Sequence, residues 1–242
     1  MAGAPTTDAA PLPVLGVDGA RGGWVGVRWD GTTATPLFAA TLRGLCLDAG
    51  TVAAVGVDMP IGLSMTARRR CDVEVRPLLG PRRSSLFSPP ALGALDHDDY
   101  AAANAWSKAE LGAGISKQAW MLVPKIREIR ALAELSGDTS AGWPLYETFP
   151  ELSFAAMNAG EPLAAPKRSW NGLATRWRLL AEAGVHLPVD AGTAGSVAAD
   201  DLLDAAAVAW SARRIVDGRA ERRPLEPGPD AGGVNREPTI WW

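Results

Sequence analysis

Two aspartates close apolar runs, and two more stand three residues apart in a stretch with helical character. Asp18 follows Val14-Leu15-Gly16-Val17 and precedes the glycines Gly19, Gly22 and Gly23; Asp58 follows Val52-Ala53-Ala54-Val55-Gly56-Val57. A continuous apolar run with β-branched residues is the pattern of a strand buried on both faces. A carboxylate at its C-terminal end stands where open α/β sheets bind ligands. Adjacent strands lie ~4.8 Å apart, so two such ends can bring their acids together. Asp201 and Asp204 share one face of a helix. If that helix packs on the sheet, Asp18, Asp58 and at least one of Asp201 and Asp204 are expected to converge within about 8 Å, a span that one or two cations bridge. Carboxylates that close repel one another unless a cation neutralises them. Oxygen ligands alone suit Mg²⁺ or Mn²⁺, which activate water and stabilise a leaving oxygen in phosphodiester hydrolysis. Glu147 and Glu151 are possible additional acids. The plainer alternative is an ordinary turn aspartate at 18 and acids at 200 and 201 that only complement the helix dipole.

Elements able to position these acids follow in a readable order. After the first strand, Trp24–Trp29 predicts a second and Thr33–Ala40 a third, with Asp30-Gly31 as the turn between them and Pro36 as an interruption. Thr41–Ala49 predicts a short helix closed by Gly50, and Val52–Val57 the fourth strand. From about 63 to 142 the pattern becomes helical, as an insertion or lid, with Pro124 near a helix start. Pro144–Glu147 then predicts a fifth strand and Glu151–Asn158 a proline-started helix. Arg168–Ala183 predicts a helix capped by Ser169, with Trp177, Leu180 and Ala181 on one face, and Ala198–Val216 the closing helix.

Composition bounds what these elements can serve. The 242 residues, 47% hydrophobic and 21% charged, describe one globular domain with room for an insertion. No apolar run reaches the ~20 residues of a membrane span. Residues 1–12 have neither the basic flank nor the apolar core of a signal peptide, so they are expected to be a loose leader in a cytoplasmic protein. Cys46 and Cys71 are expected to be reduced, and two distant histidines make a histidine-rich zinc site a poor fit. The net charge of −3 does not announce a nucleic-acid binder. The distribution says more: Arg68, Arg69, Arg70, Arg76, Arg82 and Arg83 crowd one segment, which is either a solvated face or a phosphate-binding rim. The tail from 219 to 242 is rich in Pro and Gly yet ends Ile240-Trp241-Trp242, which predicts a docked end.

A meander of three strands, a helix, a fourth strand, more helix, a fifth strand and a closing helix is the ribonuclease H-like plan: an α/β fold with a mixed five-stranded sheet flanked by helices. With the segments GVDGARGGW, VGVDMPIGL, RRCDVEVRPLLGPRRSSLF, SKQAWMLVPKIREI, YETFPELSFAAMN and DDLLDAAAVAW, the chain resembles family 429 of the domains of unknown function. That family is described as predicted ribonuclease H-like nucleases. The resemblance covers roughly residues 14 to 218 and extends to the tail through Asp230, Gly233, Ile240 and Trp241. Where the family has a histidine directly after its Tyr-Glu pair, this chain has Thr148.

The resemblance implies that Asp18 is the first-strand aspartate of the superfamily. Asp58 stands where Holliday-junction resolvases place their second acid, and Asp201 and Asp204 resemble the paired aspartates of their last helix. It thus implies a nuclease whose catalytic and metal-binding set is Asp18, Asp58, Asp201 and Asp204, with Mg²⁺ or Mn²⁺ as cofactor. Arg68, Arg69, Arg70, Arg82, Arg83, Lys125 and Arg127 are the expected contacts to a nucleic acid or other phosphoester. Two other classes remain open from the residues: a non-catalytic nucleic-acid- or protein-binding module, and a nucleotide-binding protein related to actin and sugar kinases. The second is disfavoured because no further Asp-Gly-Gly phosphate turn follows.

Overall fold

The computed structural model describes residues 11–66, 68–136, 142–226 and 237–242. Most of the 1–12 leader, and Asp230 and Gly233 of the tail, lie outside the described residues. The strands are β1 (Val14–Ala20), β2 (Gly23–Trp29), β3 (Ala34–Ala39), β4 (Val55–Val57) and β5 (Leu145–Glu147). They form one sheet in the order β3-β2-β1-β4-β5. The first three make an antiparallel meander, while β4 and β5 run parallel to β1. This is the α/β, ribonuclease H-like arrangement, and each departure from uniform strands has a local cause. The β1–β2 turn falls at Arg21-Gly22, where Gly22 takes φ 80°. Asp30 closes the next turn by accepting from the Thr32 and Thr33 amides. Pro36 is tolerated because β3 is an edge strand.

Alternation along β1 decides what each face of the sheet carries. Leu15 and Val17 pack with Leu42, Leu45, Ile126 and Ile129, residues of α1 (Leu42–Ala49) and α5 (Val123–Ser136). Val14 and Ala20 pack on the opposite side with the alanines of α8 (Ala199–Val216), and Gly16 and Asp18 share that parity. There α6 (Pro150–Met157) and α7 (Trp170–Glu182) flank α8.

The stretch between β4 and β5 does not behave as one unit. It contains α2 (Arg70–Val75), a 3-10 segment over Arg76–Ser85, α3 (Tyr100–Leu111), α4 (Lys117–Met121) and α5. Helix α5 returns to the sheet, while Ala94, Ala103, Ile115 and Ala119 form a separate small core. In α7 the buried stripe is Gly172, Arg176, Leu179 and Leu180. Of the expected face, Leu180 is buried and Ala181 partly so, while Trp177 is exposed. Hydrophobic spacing alone did not anticipate a charged residue, Arg176, on the inner stripe.

The chain end is built into the domain. Ile240 and Trp242 are buried among Cys71, Val75, Leu79, Leu86 and Leu152. The two-residue strand β7 (Ile240–Trp241) pairs with β6 (Arg222–Arg223). A bridge between Trp241 and Thr148, with the Trp241 ring edge-on to Tyr146 at 5.8 Å, covers the outer side of β5. Deleting residues 240–242 is expected to cost ~2 kcal/mol and lower the melting temperature by roughly 4–8 °C, measured by scanning calorimetry. An unchanged transition would show that these contacts add nothing.

Candidate metal centre

The site forms where α8 crosses the ends of β1 and β4. Its closeness to the sheet follows from residue size. A Cβ on Gly16 would lie 2.0 Å from the Ala209 nitrogen and 2.2 Å from the Ala205 oxygen, and one on Gly56 would lie 2.8 Å from a Val208 methyl. Glycine on the strands and alanine on the helix let the two backbones touch. Asp204, one turn before Val208, is thereby lowered onto the strand ends. The Asp58 amide donates to the Val17 carbonyl, which sets Asp58 beside Asp18.

Oxygens of Asp18, Asp58 and Asp204 lie within 4.8 Å of one another, with Asp18 and Asp204 buried and Asp58 partly so. Burial first, and then repulsion from Asp58 and Asp204, pushes the Asp18 carboxyl well above the usual range. Asp58 is pushed up in the same way by burial and by Asp204. Asp204 is raised to about 6, burial outweighing the opposing Lys167 ammonium. Asp201 does not join the three; it is half-buried nearby, raised by burial and by Asp200, and close enough to act on Asp18.

The other acids are engaged elsewhere. Glu147 lies on the opposite face of the sheet, accepting from the Ile61 amide and pairing with Arg69. Both Glu151 carboxylate oxygens accept from one nitrogen of the buried Arg176, Nη2, at 2.8 and 2.9 Å, and Arg82 lies at 3.4 Å. Both hold arginines, which leaves them poorly disposed to bind a metal ion. Glu151 still adds negative potential at Asp58 and Asp204.

The basic residues divide likewise. Arg69 is a correction to the expected phosphate rim. It is buried, and its guanidinium is spent on Asp72, Glu147 and the Gly62 carbonyl, so no donor is left for a ligand. Arg70 pairs with Glu74 at 2.7 Å and reaches Glu237 at 3.6 Å. Arg127 donates to the Leu95 and His97 carbonyls. Arg68 and Arg83 are exposed, and Arg82 is partly so. Lys125 lies against the site itself: it packs along Gly19, covers the Trp24 ring at 4.1 Å, donates to the Gly23 carbonyl and is felt by Asp18 and Asp201.

Two participants lie outside the expected site residues, and only Thr148 was marked in the sequence, as the place of a family histidine. Lys167, between α6 and α7, places Nζ 2.6 Å from Asp204 and 3.4 Å from Asp200, while Arg168 holds Asp200 at 3.0 Å. Thr148 stands next to Asp58 across the β4–β5 register, its amide donating to Val57. It is buried, and its hydroxyl has no hydrogen-bond partner among the described residues. No spacing rule links residues 148 and 167 to the aspartates. Only the fold does.

The donor set fits a hard divalent cation. Three convergent carboxylates supply charge and oxygen ligands, mutual repulsion gives a reason to bind a cation, and an orphaned hydroxyl beside Asp58 can take a hydrogen bond from bound water. A family model described as a protein of unknown function (DUF429) matches residues 16–228. The chain belongs to the DUF429 family. Asp18, Asp58, Glu147, Glu151, Asp200, Asp201 and Asp204 fall inside the matched span, as do Lys125, Thr148 and Lys167. No curated protein and no solved structure matches this DUF429 chain.

Proposed function

We propose that this DUF429 protein is a metal-dependent phosphodiester hydrolase, a nuclease of ribonuclease H-like fold. The observation that carries the reading is the convergence of Asp18, Asp58 and Asp204 at the strand ends beneath α8. The three aspartates would hold Mg²⁺ or Mn²⁺, with Asp201 at the rim. Bound there, the ion activates water and offsets the charge that develops on the phosphate and its leaving oxygen. The chain's own part is binding and orientation. Lys125 and Lys167 flank the acids with ammonium groups able to meet a phosphodiester. Exposed Arg68 and Arg83, with Arg82 partly exposed, are available for further phosphates along a nucleic acid. The two buried, unbridged cysteines suit a cytoplasmic setting.

The test is a cleavage panel of single-stranded, duplex and branched RNA and DNA, with Mg²⁺ or Mn²⁺ and with chelator, alongside Asp18→Asn. The expected result is divalent-dependent cleavage that the substitution lowers by about a thousandfold or more. If no substrate is cut and Mn²⁺ does not bind, the aspartates are structural and the chain is a binding module. Cleavage that persists in chelator would equally sink the proposal.

A further inference from the structure

The acids and bases around the centre separate into those already matched and those left facing one another. Glu147 is matched by Arg69, Glu151 by Arg176, and Asp200 by Arg168. No arginine hydrogen-bonds or ion-pairs with Asp18, Asp58, Asp201 or Asp204 among the described residues. Arg168 and Arg176 act on Asp201 and Asp204 from a distance while bonded to Asp200 and Glu151, and the lysines that face the four acids are Lys167 and Lys125. These are two of only four lysines in a chain with twenty arginines. A lysine presents a compact point charge, which can share a carboxylate with a neighbouring ion where a planar guanidinium fork would cover both oxygens.

The position of Lys167 is fixed from both sides. Ser169 caps α7 by accepting from the Gly172 amide and also donates its hydroxyl to the Pro166 carbonyl. A Cβ on Gly172 would lie 1.9 Å from that same carbonyl, so the segment is seated directly on the first turn of α7. Arg168 is anchored on Asp200. Between these anchors the Lys167 ammonium meets Asp204 at 2.6 Å.

We propose that Lys167 is the second cation of the centre, holding Asp204 from one side and limiting the cluster to a single divalent ion. This rests on the metal-dependent reading above. With Arg168 and Arg176 counted against the Asp200 and Glu151 carboxylates they bond, the four remaining carboxylates set against two ammonium groups leave two negative charges, which one divalent ion cancels. A second ion would overshoot in a buried site, where uncompensated charge is costly. Lys167 then takes the role a second ion plays in two-metal hydrolases, neutralising charge on the far side of the scissile phosphate.

The test is equilibrium binding of Mn²⁺ to the full metal-stripped chain, with free Mn²⁺ read by electron paramagnetic resonance. The wild type is expected to bind one Mn²⁺. Lys167→Gln is expected to bind Mn²⁺ about tenfold more tightly, because a positive charge that repelled the ion is gone. Lys167→Arg, which keeps the charge, should stay near the wild-type affinity. A merely structural lysine would lower the melting temperature without tightening Mn²⁺ binding. Two ions in the wild type overturn the proposal, as does unchanged or weaker binding in a folded Lys167→Gln protein. If that variant does not fold, the wild-type count decides: one ion supports the proposal and two overturn it. Failure of both proteins to bind Mn²⁺ removes the metal-dependent reading as well, whereas one bound ion with no response to Lys167→Gln removes Lys167 alone.

Discussion

Asp18→Asn is expected to melt at a higher temperature than the wild type in metal-free buffer and to lose its response to Mn²⁺. The wild-type carboxyl is held well above its usual range by burial and by repulsion from Asp58 and Asp204. In the folded state it is either ionised against two neighbours or protonated against the solvent. Both cost folding energy. Asparagine keeps the shape and needs no proton, so ~1–2 kcal/mol is recovered, or roughly 2–8 °C for a chain of this size. Stability is given up here to keep a charged site. The pH dependence has the same origin. A carboxyl whose folded pKa is raised favours folding below its unfolded value and withdraws that support as pH rises through the folded one. The metal-free protein should therefore lose stability from about pH 4 upward, through the Asp204 transition at about 6. Asp200, lowered on balance because Arg168 and Lys167 outweigh its burial, works in the opposite sense, below its ordinary range. Saturating Mn²⁺ should flatten or reverse the decline, since the ion binds the ionised acids. A melting temperature that rises with pH in chelator, or an Asp18→Asn protein less stable than wild type, would count against a strained acid cluster.

Gly16→Ala is expected to be strongly destabilising for the addition of a single methyl. The new Cβ would lie 2.0 Å from the Ala209 nitrogen and 2.2 Å from the Ala205 oxygen, far inside van der Waals contact, with no flexible side chain to yield. Helix α8 must then lift from β1, spreading the interface that Ala205, Ala206, Ala209 and Ala212 close. Overpacking against side chains costs ~1–3 kcal/mol, and a backbone obstacle belongs at or above that range. A loss of ~3 kcal/mol lowers the melting temperature by roughly 6–12 °C. Because α8 carries Asp204 and β1 carries Asp18, Mn²⁺ affinity should fall with stability in Gly16→Ala. Gly31→Ala is a useful contrast: its turn is strained by φ 101°, yet nothing lies near its Cβ and it is remote from α8, so Mn²⁺ binding should persist. Full Mn²⁺ affinity in a folded Gly16→Ala protein would show that the close approach does not position the acids.

Much of this arrangement is written locally. The runs ending at Asp18 and Asp58 are apolar because both faces of those strands are covered. Their alternation sends Gly16, Asp18 and Gly56 to the α8 side, and the alanine face that follows Asp201 and Asp204 marks a helix meant for close packing. The strands, the helices and the turn chemistry follow from local patterns, while the strand order and the meeting of the aspartates were expected from the ribonuclease H-like plan that the order of elements suggests. What the sequence could not decide is which charge meets which. Arg69 and Arg68 are neighbours in one basic run, yet Arg69 is buried on Glu147, 78 residues on, while Arg68 is exposed. Glu151 reads as a helix-start acid until Arg176 turns inward to meet it, and Lys167 has no periodic relation to Asp204. Periodicity reports burial of apolar surface, which a residue experiences through its own element. Ion pairing depends on positions of separate elements in space, and burial makes it decisive, because a charge withdrawn from water must find its partner wherever the fold has put one.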